Sequence, residues 1–165
     1  MPTKVFESLI DATVDEVWGF HCRPDALRSL TPPGRKVGWV SKDNTLKNGA
    51  LHVMRIRHFG MPLIWEARIS EVDPPHGFVD TAEMAPFKVW VHKHEFIEKG
   101  KQTLLRDTVT YEALFGPLGW LLRMIWVDRT IKNLFAFRHE QTQKLIEQYR
   151  AESGSPEHEL VKADH

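Results

Sequence analysis

A chain of 165 residues with 22 Lys plus Arg against 22 Asp plus Glu has no net field with which to hold a nucleic-acid backbone, so nucleic acid is not an expected partner. Its length suits one domain that buries roughly two-thirds of its unfolded surface. A single cysteine, Cys22, excludes an internal disulfide and a multi-cysteine metal site, and with no basic or apolar leader in residues 1–10 the expected compartment is the cytoplasm.

The first strand is expected over 5–10, followed by a short helix over 14–21 capped by Thr13 or Asp15, and a second over 24–30 that stops at Pro32-Pro33-Gly34. Turn signals at Asp43-Asn44, Gly60-Met61, Pro74-Pro75, Ala85-Pro86 and Gly100-Lys101 divide 36–112 into five or six strands. Connections this short make an antiparallel meander. Gly60-Met61 suits a two-residue II′ loop, which sets Arg55 opposite Glu66, Ile56 opposite Trp65 and Met54 opposite Ala67. Trp65, Ile69 and His52 then share the inner face, and His58 is a further candidate for it.

Gly100-Lys101 suits the same loop type, with glycine where φ must be positive. The hairpin over 87–112 then places Trp90, His92, His94 and Phe96 opposite Tyr111, Val109, Asp107 and Leu105 on the inner face. Its outer face sets Glu95 opposite Arg106 and Lys93 opposite Thr108, and a slip of one residue would bury that charge. Large aromatics beside imidazoles and a carboxylate read as a cavity wall. Asp80 reaches His92 from the next strand if the Ala85-Pro86 turn holds three residues.

After Gly116-Pro117 the spacing turns helical, with Trp120, Met124, Val127, Ile131, Leu134, Phe135, Arg138, Thr142, Leu145 and Tyr149 three or four apart. The domain is expected over 1–150 and a flexible tail, without periodicity, over 151–165. The apolar run 114–127 is about 14 residues long against the roughly 20 of a membrane span, so no transmembrane segment is expected. The part over 115–126 leaves four roles open: core packing, a cavity gate, peripheral membrane contact or a dimer contact.

One strand, two short helices, a run of antiparallel strands and a long final helix is an unusual order. With Asp11-Ala12-Thr13-Val14-Asp15-Glu16-Val17-Trp18, the Trp65 to Ile69 strand before Pro74-Pro75, Trp90-x-His92-x-His94-x-Phe96 and Asp107-x-Val109-x-Tyr111, the chain resembles the START-like or SRPBCC superfamily, which includes the Bet v 1-like fold. It is most similar to the bacterial ligand-binding and polyketide cyclase/dehydrase-like branch, and the resemblance covers 4–150. It implies an α+β helix-grip fold, in which a curved antiparallel sheet of six to seven strands wraps around the C-terminal helix and leaves a deep, mostly apolar cavity.

The expected function is binding of a small hydrophobic molecule: a lipid, an isoprenoid or an aromatic, polyketide-like compound. The expected contact residues are Met54, Ile56, Trp65, Ala67, Ile69, Asp80, Trp90, His92, His94, Phe96, Asp107, Val109, Tyr111, Leu134 and Arg138. One alternative is an enzyme of the cyclase or dehydratase type, with His94, Asp107 and Tyr111 as its acid-base groups. Another is a protein-interaction module resting on the apolar stretch near Trp120.

His92 and His94 stand at a spacing seen in zinc sites, but such a site needs three or four converging ligands. His52 and His58 are candidates for a third imidazole, and neither is fixed by spacing. The pair is therefore read as hydrogen-bonding wall residues, with no metal and no cofactor expected. Arg138 is read as pairing with a buried acid, Asp107 or Asp80, in preference to a ligand carboxylate.

Overall fold

The computed structural model describes residues 1–40, 44–58, 61–113 and 117–153, with side chains described at all of these except 39, 58, 61, 113, 117–126, 152 and 153. The elements in chain order are β1 (Thr3–Ile10), α1 (Val14–His21), α2 (Ala26–Ser29), β2 (Lys36–Trp39), β3 (Leu51–His58), β4 (Met61–Asp73), β5 (Gly77–Met84), β6 (Phe87–Lys99), β7 (Gln102–Ala113) and α3 (Pro117–Ser153). All seven strands form one antiparallel sheet in the order β1-β7-β6-β5-β4-β3-β2. Register shifts at Glu66/Ala67, Ser70/Asp73 and Phe87/Val89 put extra residues in β5, β4 and β6 respectively, and an extra residue in one strand of a pair bends that strand. The sheet is thereby curved around α3 in the helix-grip arrangement.

The β6–β7 hairpin takes the expected register: Lys99 faces Gln102, His94 faces Asp107 and Trp90 faces Tyr111. Gly100 adopts φ +66, the value that a II′ turn demands of its first central residue. On the outer face Glu95 does stand opposite Arg106, but Arg106 Nε bonds instead to Glu7 Oε1 of β1 at 2.6 Å, and Glu95 pairs with Lys93 at 3.1 Å. A residue on β7 has neighbours on both sides, and β1 supplied the competing acid.

The β3–β4 hairpin is offset by two residues from expectation. His58 faces Met61 and Met54 faces Trp65, with Arg55 opposite Ile64 and Val53 opposite Glu66. The register expected from Gly60-Met61 is therefore corrected by two residues; residues 59 and 60 themselves lie outside the described residues, as does the His58 side chain. Because the displacement is even, every side chain keeps its face.

The expected cap of α1 is present as a full capping box: Thr13 Oγ1 accepts from the Glu16 amide, and Glu16 Oε2 accepts from the Thr13 amide at 2.8 Å. The same Glu16 carboxylate bonds Arg150 near the end of α3, at 2.6 and 2.7 Å. That guanidinium holds the Glu16 carboxyl down at about 2, against burial. Thr13→Ala is expected to cost about 1 kcal/mol, read as a lower urea midpoint with an unchanged slope.

Two clusters make the core. Ile10, Val17, Phe20, Phe78, Phe96, Leu105 and Ile146 close the end beneath α1 and α2, while Trp90, Val109, Tyr111, Ile131 and Phe135 pack between the sheet and the first half of α3. Along α3 the stripe that meets the sheet is Ile131, Phe135, His139, Thr142 and Ile146. Tyr149, expected on that stripe, is instead 52% exposed and lies under the Arg23 guanidinium. The helix runs to Ser153, past the expected boundary at 150; residues 154–165, most of the expected tail, lie outside the described residues. So do the side chains of 115–126, on which the gate, membrane and dimer readings fall. No helix among the described residues is long and apolar enough to cross a membrane.

Candidate functional site

A cavity of about 1020 Å³ lies between the concave face of the sheet, α2 and α3. Period-two alternation along the strands puts Met54 and Ile56 of β3, Trp65, Ala67 and Ile69 of β4, Asp80 of β5, and Trp90, His92 and His94 of β6 on its wall. From α3 a second stripe, Val127, Thr130, Ile131, Leu134 and Arg138, closes the opposite side. His21, Leu27 and Leu30 cover one end, and the exposed Pro62 and Pro86 stand at the rim of the other. Trp65, Phe87 and Trp90 meet edge-on or tilted there, with ring centroids 4.9 to 6.1 Å apart.

Four of the expected contact residues do not line this cavity. Asp107, Val109 and Tyr111 are on the expected face of β7, but α3 lies directly over them: Val109 and Tyr111 pack with Ile131 and Phe135, and Tyr111 donates its hydroxyl to Asp128. Phe96 is covered by Trp18 and His21 of α1. The helix and not the cavity occupies that part of the concave face. Of the groups expected for an enzyme, His94 alone is on the cavity wall, with Asp107 2.9 Å behind it and Tyr111 turned away to Asp128.

Beneath the wall a charge network runs from β5 to β1. Asp80 and His92 face each other across β5 and β6, as expected. Asp80 Oδ2 is 3.1 Å from His92 Nδ1 and 3.2 Å from His94 Nε2. Asp107 Oδ1 is 2.9 Å from the other nitrogen of each ring, His92 Nε2 and His94 Nδ1. The second oxygen of Asp107 accepts from His139 Nε2 at 2.7 Å, and His139 Nδ1 meets Ser8 Oγ at 2.8 Å. Burial opposes a charged imidazole, yet Asp80 and Asp107 outweigh it and lift His92 to about 9. Burial also disfavours both carboxylates, but the imidazoles hold Asp80 and Asp107 well below the usual carboxylate range.

Arg138 makes neither of the expected ion pairs. Its guanidinium lies over the Phe135 ring, 5.5 Å from the centroid, its Nε is buried without a hydrogen bond, and Asp107 and Asp80 act on it only through space. Burial pulls its pKa below the ordinary arginine value, with those two carboxylates opposing. His52, the candidate third zinc ligand, points its Nε2 at the Thr45 carbonyl, 2.9 Å away.

Two histidines escaped the reading of the sequence. His21 donates Nδ1–H to the Val17 carbonyl at 2.7 Å, and burial together with the neighbouring His94 lowers it to about 4, so it is neutral where it meets the cavity. Its place after Val14, Val17 and Trp18 on one helical face was the available signal. His139 lies four residues after Phe135 on the sheet-facing stripe, beside the Arg138 that the spacing argument favoured.

Among curated protein sequences none matches this chain. Solved structures do: protein CV1439 from Chromobacterium violaceum superposes with a TM-score of 0.71 at 16% identity, covering 88% of this chain and 96% of that one. Protein Ms6760 from Mycobacterium smegmatis gives 0.67 at 20% identity, with 89% and 92% covered. Ara h 8.0201 gives 0.63 at 12% identity, with 89% and 98% covered. At such identities the likeness is one of fold, the START-like helix grip. Residues 10–137 match the family described as polyketide cyclase/dehydrase and lipid transport, which is most of the chain, and the protein therefore belongs to that family.

Proposed function

We propose that this protein binds a small, largely apolar molecule in the cavity, with the acidic or otherwise polar end of that molecule turned toward Arg138. The observation that carries this reading is the division of the wall: Met54, Ile56, Trp65, Trp90 and Leu134 offer apolar surface, while Asp80, His92, His94 and Arg138 gather in one region. The volume, about 1020 Å³, is at the upper end of what small-molecule sites enclose. Burying about 300 Å² of apolar ligand surface contributes about 7 kcal/mol before ordering costs. The description of the family as cyclase/dehydrase and lipid transport supports a lipid or polyketide-like ligand.

Arg138 sets the polarity of the ligand in this reading. A buried guanidinium without a contacting acid is costly, and a ligand carboxylate is the group that would complete it. Native mass spectrometry after gentle purification is expected to show a retained small molecule. In parallel, a fluorescent polyene fatty acid should bind the wild type with at least tenfold higher affinity than Arg138→Met, while its methyl ester binds both equally. Absence of binding by either probe would overturn the reading, and equal loss of acid and ester would remove Arg138 from it.

A further inference from the structure

Asp80, His92 and His94 meet at one point of the cavity wall in a way that hydrogen bonds alone satisfy poorly. Both rings turn one nitrogen to the same oxygen of Asp80, at 3.1 and 3.2 Å, and the other nitrogen to the same oxygen of Asp107, both at 2.9 Å. Making all four contacts attractive takes four N–H groups, and hence two imidazolium ions whose ring centroids lie 3.8 Å apart. If either ring is neutral, one of its nitrogens sets a lone pair against a carboxylate oxygen. His94 Nδ1 indeed has no aligned hydrogen bond despite its short distance to Asp107.

We propose that His92 Nδ1, His94 Nε2 and Asp80 form a binding site for a divalent transition-metal ion of the zinc class. An ion there removes the conflict. The two nitrogens facing Asp80 present lone pairs to the metal, and the two facing Asp107 keep their protons and donate them to its carboxylate. Metal-bound histidines are ordinarily held by such a carboxylate on the far ring nitrogen. Asp107 is itself fixed by His139 at 2.7 Å.

Distances agree with the assignment. The three ligand atoms lie within 4.8 Å of one another, and ligands about 2.0 to 2.1 Å from a tetrahedral ion stand about 3.3 Å apart. The observed 3.1 and 3.2 Å edges to Asp80 are close to that value. Two imidazoles and one carboxylate suit zinc by donor type, and three protein ligands leave a fourth position. All three residues line the cavity, so that position opens toward it. An oxygen donor of a bound molecule, or water, would complete the shell.

The test uses the purified full chain, stripped with a chelator and titrated with cobalt(II) as a spectroscopic substitute for zinc. The expected result is one cobalt per chain with the visible absorption of a tetrahedral N/O site, displaced by zinc at one equivalent. Asp80→Asn and His94→Gln are each expected to weaken binding at least tenfold. His76→Ala, which removes an exposed imidazole with 60% side-chain exposure, is expected to leave it unchanged. Retention of neither zinc nor cobalt by the folded wild type would overturn the proposal. An absorption band surviving in the Asp80→Asn, His94→Gln double variant, or lost with His76→Ala, would do the same. If the double variant does not fold, the wild-type stoichiometry and the His76→Ala titration decide the matter alone.

Discussion

Asp107→Asn is expected to lower the stability of the fold by about 3 to 5 kcal/mol, because it removes a buried charge that three imidazoles share. Asp107 is 4% exposed and lies against His92, His94 and His139 at 2.7 to 2.9 Å. An amide keeps the volume but offers one acceptor oxygen and no charge to the ring nitrogens around it. His92 is then left with Asp80 as its one contacting carboxylate. A loss of that size is a large share of the roughly 5 to 15 kcal/mol by which domains are stable. Urea denaturation of the metal-free protein measures it. A midpoint within error of the wild type would show that the network is not a structural support.

Gly77→Ala is expected to cost about 3 kcal/mol or more, for a reason unrelated to charge. Gly77 opens β5 at φ +149, and a Cβ built there would lie 2.0 Å from the His94 carbonyl oxygen. Backbone cannot retreat as a side-chain tip can, so the strands must separate or the new residue must leave a conformation that L-residues rarely take. The change pushes apart the two strands that bring Asp80 to His92 and His94. For a domain of this size the melting temperature should fall by roughly 6 to 12 °C. Gly19→Ala supplies the contrast: Gly19 is in α1 with nothing within 4 Å of a built Cβ, so alanine there should be neutral or stabilise by up to about 1 kcal/mol. Equal melting temperatures for Gly77→Ala and the wild type would show that the β5–β6 contact yields at no cost.

The readable part of the fold was the part fixed locally. A glycine at the first position of a two-residue turn determines the whole β6–β7 register, and with it the pairs Trp90–Tyr111 and His94–Asp107. At the β3–β4 turn the strands pair two residues away from what Gly60-Met61 suggested, so the faces were legible and the offset was not. Side-chain alternation likewise brought Met54, Ile56, Trp65, Ala67, Ile69, Asp80, Trp90, His92 and His94 to one wall. It could not say what lies over that wall. Whether Val109 or Trp90 meets open space depends on where α3 crosses the sheet, which is set by packing far along the chain. The same blindness hid His139: α3 carries two inward stripes, one to the sheet and one to the cavity, and a single apolar periodicity merges them. Arg138 was legible as inward-facing, but that no acid among the described residues contacts it follows only from the geometry of its neighbours.

The position of β1 has a bearing on how the molecule is made. This strand is an edge whose one neighbour is β7, with Ile10 paired to Thr103 and Thr3 to Thr110. During synthesis at about 5 to 20 residues per second, the first strand waits on the order of 5 to 20 s before its partner emerges. Val5 and Leu9, still 55% and 53% exposed in the finished sheet, belong to that waiting segment. The nascent chain must therefore carry β1 as an unpaired, partly apolar ribbon until β7 has been made, and closing this edge of the sheet joins segments as far apart as Thr3 and Thr110.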